Sequence, residues 1–285
     1  TLTNGVVTVQ DMALIPIVPV NISGTVTAQL GGAGIGGASV VVENDDFSHS
    51  ATADGSGNWS ITGVIPGDYT VTAGLWGYHT ACGGFSFDAL NTTADLALDL
   101  GYSDDYALDL GWTESSTAST GIFERGDPIE ITGGGGAVHV PEDDLSGDCG
   151  DMCYTTGNGA SSAGADDVDD GETMITSPSM DLSTYVNPYI HFYRVWNNSG
   201  GGGGGGGRND SLQVIIDNGT SSIMIDYYTE DDNNNSWAME SYRIKSFISL
   251  SNSMTVTFRT ADDSPGHLVE ASIDGFLIAD SIATG

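Results

Sequence analysis

Basic side chains are scarce in this chain. Its 285 residues include only six Lys and Arg against 39 Asp and Glu, which gives a formal net charge of -33. Binding to nucleic acid and to anionic lipid depends on Lys and Arg that neutralise phosphate, so the composition excludes both as partners. It favours cations instead, because a bound divalent ion relieves repulsion among carboxylates. Solubility in salty surroundings is the simpler explanation of the same charge.

Long apolar runs and helical periodicity are also missing. No run approaches the roughly 20 apolar residues of a membrane helix, and no charged-then-apolar leader opens the chain, so a mature exported form is expected. Gly is frequent, and no long stretch keeps an apolar period of 3.6 residues. Short apolar or alternating runs bounded by Gly, Asn, Asp and Pro predict strands at 22–29, 38–44, 58–64, 67–73 and 94–100. The fold class predicted is all-β, with two antiparallel β-sandwich domains.

Catalytic signatures are likewise absent. The five histidines are scattered without the spacing of a zinc site. The sequence contains no Gly-x-Ser-x-Gly elbow, no phosphate-binding Gly loop that ends in Lys-Ser/Thr, and no Rossmann fingerprint. We therefore expect a protein that is not an enzyme.

Cysteine is limited to three residues, Cys82, Cys149 and Cys153. Cys149 and Cys153 enclose only Gly-Asp-Met, and a disulfide between these two is expected outside the cell. Cys82 is then left over, either as a buried free thiol or as an intermolecular link.

Acceptor sequons for N-glycosylation are numerous. Glycans require exposed loops in an exported protein, and the sites next to turn residues or the glycine run, Asn58, Asn91, Asn197 and Asn209, are the strongest candidates. An extracellular glycoprotein is therefore expected. The seven sequons are at Asn21, Asn58, Asn91, Asn197, Asn209, Asn218 and Asn234.

A resemblance to a known family covers about residues 21–100. The order SGTVTAQLGGAGIGGASVVVE, then TADGSGNWSITGVIPGDYTVTAGLWGYHT, resembles the carboxypeptidase regulatory-like family. The turn at Pro66-Gly67-Asp68 before Tyr69 is one of its physical elements. The resemblance implies a transthyretin-like β-sandwich that serves as a spacer in secreted proteins, assigned here to residues 21–107.

A second resemblance covers most of residues 112–285. The segments GIFERGDP, GDCGDMCYTTGN, PYIHFYRVW and VEASIDGFLI, in this order, resemble a MAM-like jelly-roll module of secreted peptidases and surface proteins. The usual Asp-Gly-Gly before Trp is replaced by Asp217-Asn218-Gly219, with Trp237 far downstream. The run Gly200 to Gly207 is expected to be a flexible insertion. The predicted second domain is residues 108–285.

Calcium is the expected cofactor of this second domain. Asp167 and Asp169 lie two residues apart, which puts both carboxylates on one side of an extended segment, and Glu270, Ser272 and Asp274 share a side likewise. The resemblance implies that these segments meet the stretch around Glu124 and Asp127 at a structural calcium, an ion that takes six to eight oxygens. The competing interpretation is solvated acidic loops. The six predicted ligands are Glu124, Asp127, Asp167, Asp169, Glu270 and Asp274.

The N-terminal arm, residues 1–20, is a candidate donor strand. Residues 5–15 resemble the closing strand of a regulatory-like domain, since Asp11-Met12-Ala13-Leu14 is similar to Asp95-Leu96-Ala97-Leu98. An unpaired apolar strand promotes edge-to-edge association, so copies of this chain are expected to pair head to tail into a filament. The remnant of a missing domain is the competing interpretation. The predicted assembly residues are Val6, Val7, Val9, Met12, Leu14 and Ile15.

Three functions fit these features. The first is a non-catalytic structural subunit of an extracellular filament, and the second is an accessory adhesion or carbohydrate-binding module of a secreted peptidase or other hydrolase. The third is a lectin, which needs exposed aromatic rings beside polar groups, although aromatics of a sandwich are by default buried in its core. The candidate rings are Trp76, Tyr78, Trp196, Tyr227, Tyr228 and Trp237.

Overall fold

The computed structural model describes residues 16–200, 209–263 and 266–280. The predicted arm residues Val6 to Ile15 and most of the Gly200 to Gly207 run lie outside these ranges. Within them, no helix is long and apolar enough to cross a membrane. The strands are β1 (Val20–Ala28), β2 (Ser39–Glu43), β3 (Ser48–Thr52), β4 (Asn58–Val64), β5 (Gly67–Gly74), β6 (Ala81–Phe87), β7 (Leu96–Leu98), β8 (Tyr102–Asp104), β9 (Thr113–Ser116), β10 (Glu124–Gly126), β11 (Ile131–Thr132), β12 (Val138–Val140), β13 (Cys153–Thr155), β14 (Gly171–Thr176), β15 (Tyr189–Ser199), β16 (Leu212–Asp217), β17 (Ser222–Tyr228), β18 (Asn234–Arg243), β19 (Thr255–Asp262) and β20 (Leu268–Ala279), with short 3-10 helices at Glu230–Asp232 and Ile244–Ser246.

The first domain confirms the predicted all-β sandwich. One sheet has the order β4-β1-β7 and the other β3-β2-β5-β6. Alternation along the strands directs Ile22 and Val26 of β1, and Val40 and Val42 of β2, into a single core around Trp59. The five strands predicted in this region match β1, β2, β4, β5 and β7. Strands β3 and β6 were not predicted, because their sequences SHSAT and ACGGFSF consist mostly of Ser, Ala, Gly and Cys and contain only one β-branched residue, Thr52.

The second domain is also a two-sheet sandwich. One sheet has the order β10-β13-β20-β15-β18, with β8 paired to β20, and the other has the order β17-β16-β19-β14-β9. Strand β20 is central to the first sheet, and its residues Val269, Ala271 and Ile273 face the hydrophobic core. Its opposite face, with Glu270 and Asp274, is buried as well. The last strand therefore carries acidic side chains inside the protein.

The boundary between the domains lies earlier than predicted. Strand β8, within the predicted first domain of residues 21–107, pairs with Phe276, Leu277 and Ile278 of β20. Tyr106 is fully buried in the core of the second domain. The first core ends at Leu98, so the chain changes domain between β7 and β8.

Aromatic packing joins the two domains. Trp76, which follows β5 of the first domain, stacks on Phe276 of β20 with ring centroids 6.1 Å apart and meets the edge of Trp112. Its indole N–H donates to the carbonyl of Ser179 at 3.0 Å. An indole that packs its ring against the neighbouring domain and donates its N–H there favours a fixed junction.

The predicted disulfide between Cys149 and Cys153 is corrected by the structure. Cys149 pairs instead with Cys82 on β6, with a Cα–Cα distance of 5.8 Å. Cys153 is a free thiol in β13, fully buried. Cys149 lies in the loop before that strand and faces the first domain, so it meets a cysteine that is distant in sequence. The bond connects the two domains covalently.

Reduction of this disulfide is expected to lower the free energy of unfolding by about 4 kcal/mol, because the bond closes a long loop between cysteines separated by 67 residues. Urea unfolding followed by tryptophan fluorescence measures the change, and Cys82→Ser should reproduce it without reductant. The Cys153→Ala variant should respond to reductant as the parent chain does. Equal stability of oxidised and reduced chains, or a Cys149–Cys153 peptide in a non-reducing digest, would contradict the pairing.

Candidate metal centres

Two groups of side chains in the described ranges bring possible metal ligands within 4.8 Å of one another. The first, called the loop triad, is Asp144, Asp148 and Asp274. The second, called the sheet-end triad, is Asp210, Asp262 and His267. They differ in chemistry, since the first offers only carboxylates and the second adds an imidazole.

The loop triad forms where the segment between β12 and β13 covers the outer face of β20. Asp274 accepts from the backbone N–H of Leu145 at 3.0 Å and of Gly275 at 2.6 Å. Gly275 has φ +56°, and a Cβ there would lie 2.9 Å from the Leu145 side chain. Glycine is therefore required for the loop to approach the strand this closely. The approach brings Asp144 and Asp148 to Asp274.

The electrostatics of the loop triad favour a cation. Burial, with neighbouring carboxylates adding to it, raises the pKa of Asp274 to about 9, of Asp144 to about 7 and of Asp148 to about 6. One buried oxygen each of Asp144 and Asp148 has no hydrogen-bond partner. Three carboxylates this close hold either protons or a positive ion.

The sheet-end triad is already hydrogen-bonded internally. His267 Nδ1 lies 2.9 Å from a carboxylate oxygen of Asp210, and the backbone N–H of His267 donates to Asp262 at 2.8 Å. Asp210 also accepts from the backbone N–H of Asp263 at 2.7 Å. All three side chains are buried. This arrangement is a pre-formed polar centre at one end of the sandwich.

The six predicted calcium ligands do not form one site. Asp274 belongs to the loop triad, and Asp127 contributes to the raised pKa of Asp144. Asp167 and Asp169 lie near Asp262. Burial, with the charge of Asp169 adding to it, raises the pKa of Asp262, and burial, with the charges of Asp169 and Asp262 adding to it, raises the pKa of Asp167.

Glu270 and Glu124 lie outside both triads. Glu270 is fully buried and accepts a hydrogen bond from the hydroxyl of Thr156 at 2.7 Å. Glu124 is exposed on β10. The prediction of a single ligand set is therefore corrected, because the acidic segments approach β20 at different positions, Asp167 near Glu270 and Asp144 near Asp274.

Sequence reasoning missed five residues of the two triads, Asp144, Asp148, Asp210, Asp262 and His267. One signal was available, since five of the ten residues from 142 to 151 are acidic. Nothing local marked Asp210 or His267, because their meeting depends on the pairing of β15, β16, β19 and β20.

The sequons differ in exposure. Asn21, Asn58, Asn91 and Asn209 are exposed, and Asn218 and Asn234 are partly buried. Asn197, one of the favoured candidates, is corrected by the structure. Its side chain is buried in β15, with its amide oxygen enclosed, and a glycan cannot be attached there without opening the sheet.

Comparison with known proteins identifies part of the chain. Residues 21–100 match the carboxypeptidase regulatory-like domain family, and no curated protein sequence matches the chain. Solved structures with a similar sandwich include the K1 cleaved adhesin domain of Lys-gingipain from Porphyromonas gingivalis W83, at 12% identity, TM-score 0.38, and coverage of 64% of this chain and 98% of that one. A family 11 carbohydrate-binding module from Clostridium thermocellum, solved with a mixed-linked tetrasaccharide, has 14% identity, TM-score 0.35, and coverage of 64% and 95%.

Glu270 generates a pH dependence of stability. Burial raises its pKa to about 8, above the roughly 4.3 of an unfolded chain, so the folded state holds the extra proton between these values. Stability from this group is complete below about pH 4 and is lost as pH rises towards 8. Glu270→Gln, which still accepts from Thr156, should flatten the fall in melting temperature between about pH 5 and 8. If melting temperature fell with pH as steeply in the variant as in the parent chain, Glu270 would not be the source of this pH dependence.

Proposed function

We propose that the chain is a non-catalytic extracellular structural protein, stabilised by calcium, glycosylated, and assembled head to tail into filaments. The loop triad carries the calcium part of this proposal. Exposed sequons at Asn21, Asn58, Asn91 and Asn209 support glycosylation.

Calcium suits the loop triad on chemical grounds. All three side chains are carboxylates, the ligands this hard ion prefers, and several partly solvated carboxylates can supply further oxygens. Asp143 adds a main-chain carbonyl nearby, which accepts from Trp237 at 3.1 Å. Imidazole and thiolate groups, which would favour zinc, do not belong to the triad.

The position of the triad supports a structural role for the ion. Asp148 immediately precedes Cys149, whose backbone N–H donates to Asp105 at 3.3 Å, and Cys149 is bonded to the first domain. An ion held by Asp148 and Asp274 would connect the disulfide-bearing loop to the central strand β20. Calcium would thereby stiffen the junction of the domains as well as the sandwich.

Removal of calcium is expected to lower the melting temperature by several degrees, because the buried carboxylates then repel one another. Differential scanning calorimetry with calcium and with excess chelator measures the shift. Asp148→Asn should abolish the shift, whereas Asp68→Asn, an equal charge change at an exposed site of the first domain, should keep it. Melting temperatures that chelator leaves unchanged in the parent chain would refute structural calcium.

The alternative is an accessory adhesion or carbohydrate-binding module, which would need aromatic rings on an exposed face. Among the six candidate rings, Trp196 and Tyr228 are buried in the core, and Trp76 packs into the domain junction. Tyr227 is exposed (53%). Tyr78 and Trp237 are partly buried. Only one of the six candidate rings is therefore exposed, which supports the structural role over the binding module.

Assembly requires an acceptor edge for the N-terminal arm. Among the strands of the described ranges, β17 is an edge strand that pairs with β16 alone. Ile223, Met224 and Tyr227 on it are 39%, 47% and 53% exposed. Exposed apolar residues on a free edge favour strand addition. The ten residues Val6 to Ile15 would span roughly 33 Å when extended. They are therefore long enough to pair with all seven residues of β17.

Deletion of residues 1–19 is expected to give a folded monomer, because the donor strand is lost. Met224→Lys should also block assembly by placing a charge on the acceptor edge, while Leu90→Lys, at an exposed turn, should leave it intact. Negative-stain microscopy and light scattering provide the readout. Filaments that persist after the deletion would show that the arm is not the donor strand. Filaments that persist only in Met224→Lys would show that β17 is not the acceptor edge.

A further inference from the structure

The sheet-end triad connects the two sheets of the second domain. Asp210 lies just before β16 and Asp262 ends β19, both in the five-stranded sheet. His267 lies just before β20 in the opposite sheet. Any ion bound by these three residues would clamp one sheet to the other where the strands end.

The charge around this triad is strongly negative. Asp210 and Asp262 belong to it, and Asp167 and Asp169 lie close enough to interact electrostatically with Asp262. His267 is the one basic group of the triad, so even its protonated form leaves this end of the sandwich negative. A divalent ion would compensate the charge more fully than the His267 proton does.

Two buried polar atoms beside the triad lack partners. Asn198 is fully buried, and its side-chain N–H donates to the carbonyl of Asp210 at 3.2 Å, yet its amide oxygen has no hydrogen bond. Thr260 is also fully buried with an unpartnered hydroxyl, and it shares a strand face with Asp262 two residues later. Unpartnered buried oxygens are costly and call for a ligand. One oxygen belongs to a residue hydrogen-bonded to Asp210 and the other to a residue two positions before Asp262, so both are candidates to join the triad around an ion.

We propose that Asp210, Asp262 and His267 bind a divalent transition-metal ion such as Zn²⁺, with Asn198 and Thr260 completing the site. Imidazole favours such ions over Ca²⁺. Ligand atoms bound at about 2.1 Å lie roughly 3.0 Å apart in octahedral geometry and roughly 3.4 Å apart in tetrahedral geometry. His267 Nδ1 and the Asp210 oxygen are already 2.9 Å apart, so the metal replaces the Nδ1 proton with little movement, and that proton is released.

Equilibrium binding tests this site independently of the calcium proposal. The full chain, stripped by chelator and held in millimolar Ca²⁺ to occupy the loop triad, is titrated with Zn²⁺ in a calorimeter. One Zn²⁺ per chain is expected. His267→Gln, whose amide can still donate to Asp210, should weaken Zn²⁺ binding more than about tenfold, and Asp148→Asn should leave it unchanged. His49→Gln is the matched histidine control, in β3 of the first domain.

A spectroscopic measurement on the parent chain avoids dependence on the folding of a variant. X-ray absorption of the Zn²⁺-loaded chain should show scattering from one imidazole together with oxygen ligands. Absence of Zn²⁺ binding, an oxygen-only shell, or equal affinity in a folded His267→Gln chain would overturn the proposal. Each of these results would leave His267 and Asp210 as an internal hydrogen-bonded pair. Calcium binding at the loop triad could stand or fail separately.

Discussion

Burial of carboxylates against strand β20 is the constraint that shapes the second domain. Glu270 and Asp274 are 1% and 0% exposed, and an uncompensated buried charge costs several kcal/mol. Two hydrogen bonds satisfy these carboxylates: Leu145 of the loop before β13 donates to Asp274, and Thr156 directly after β13 donates to Glu270. These contacts fix the path of the loop, which explains why so long an irregular segment lies against the sheet.

The loop between β12 and β13 also connects β20 to the first domain. It carries Cys149, whose disulfide to Cys82 anchors it on β6. Trp76 forms a second connection by packing between Phe276 and Trp112. The ionisation state of Asp148 and Asp274 therefore bears on the domain junction as well as on local packing. The cation proposed for the loop triad would stabilise the same segment that the interdomain disulfide anchors.

Local sequence features predicted the parts of the fold that depend on local chemistry. Alternating residues such as Val40 and Val42 marked strands, and the order of turns marked the regulatory-like domain, which the family match confirms. The predicted disulfide was wrong because Cys153 is nearer to Cys149 in sequence, whereas Cys82 is nearer to Cys149 in space. Strands β3 and β6 were missed because pairing with neighbours, rather than their own residues, holds them in the sheet.

The candidate sites likewise divide into residues that local spacing predicts and residues that only the tertiary structure brings together. Asp274 was recognised from the spacing of acidic residues along the last strand, a period that a strand imposes directly. Asp144 and Asp148 were not, since a loop without periodicity gives no indication of which face it covers. His267 was set aside as a scattered histidine, because its partners Asp210 and Asp262 lie on two other strands. Ligand sets whose members lie on several strands can be predicted only when the strand topology is known.

On the calcium proposal, a cation rather than shared protons neutralises the loop triad. A crystal structure of the chain grown in calcium, with anomalous scattering data, tests it most directly. If calcium is bound, we expect an anomalous peak within about 2.3–2.6 Å of oxygens of Asp144, Asp148 and Asp274. Carboxylate oxygens paired at about 2.5–2.7 Å, the separation of a shared proton, with no peak between them, would contradict it.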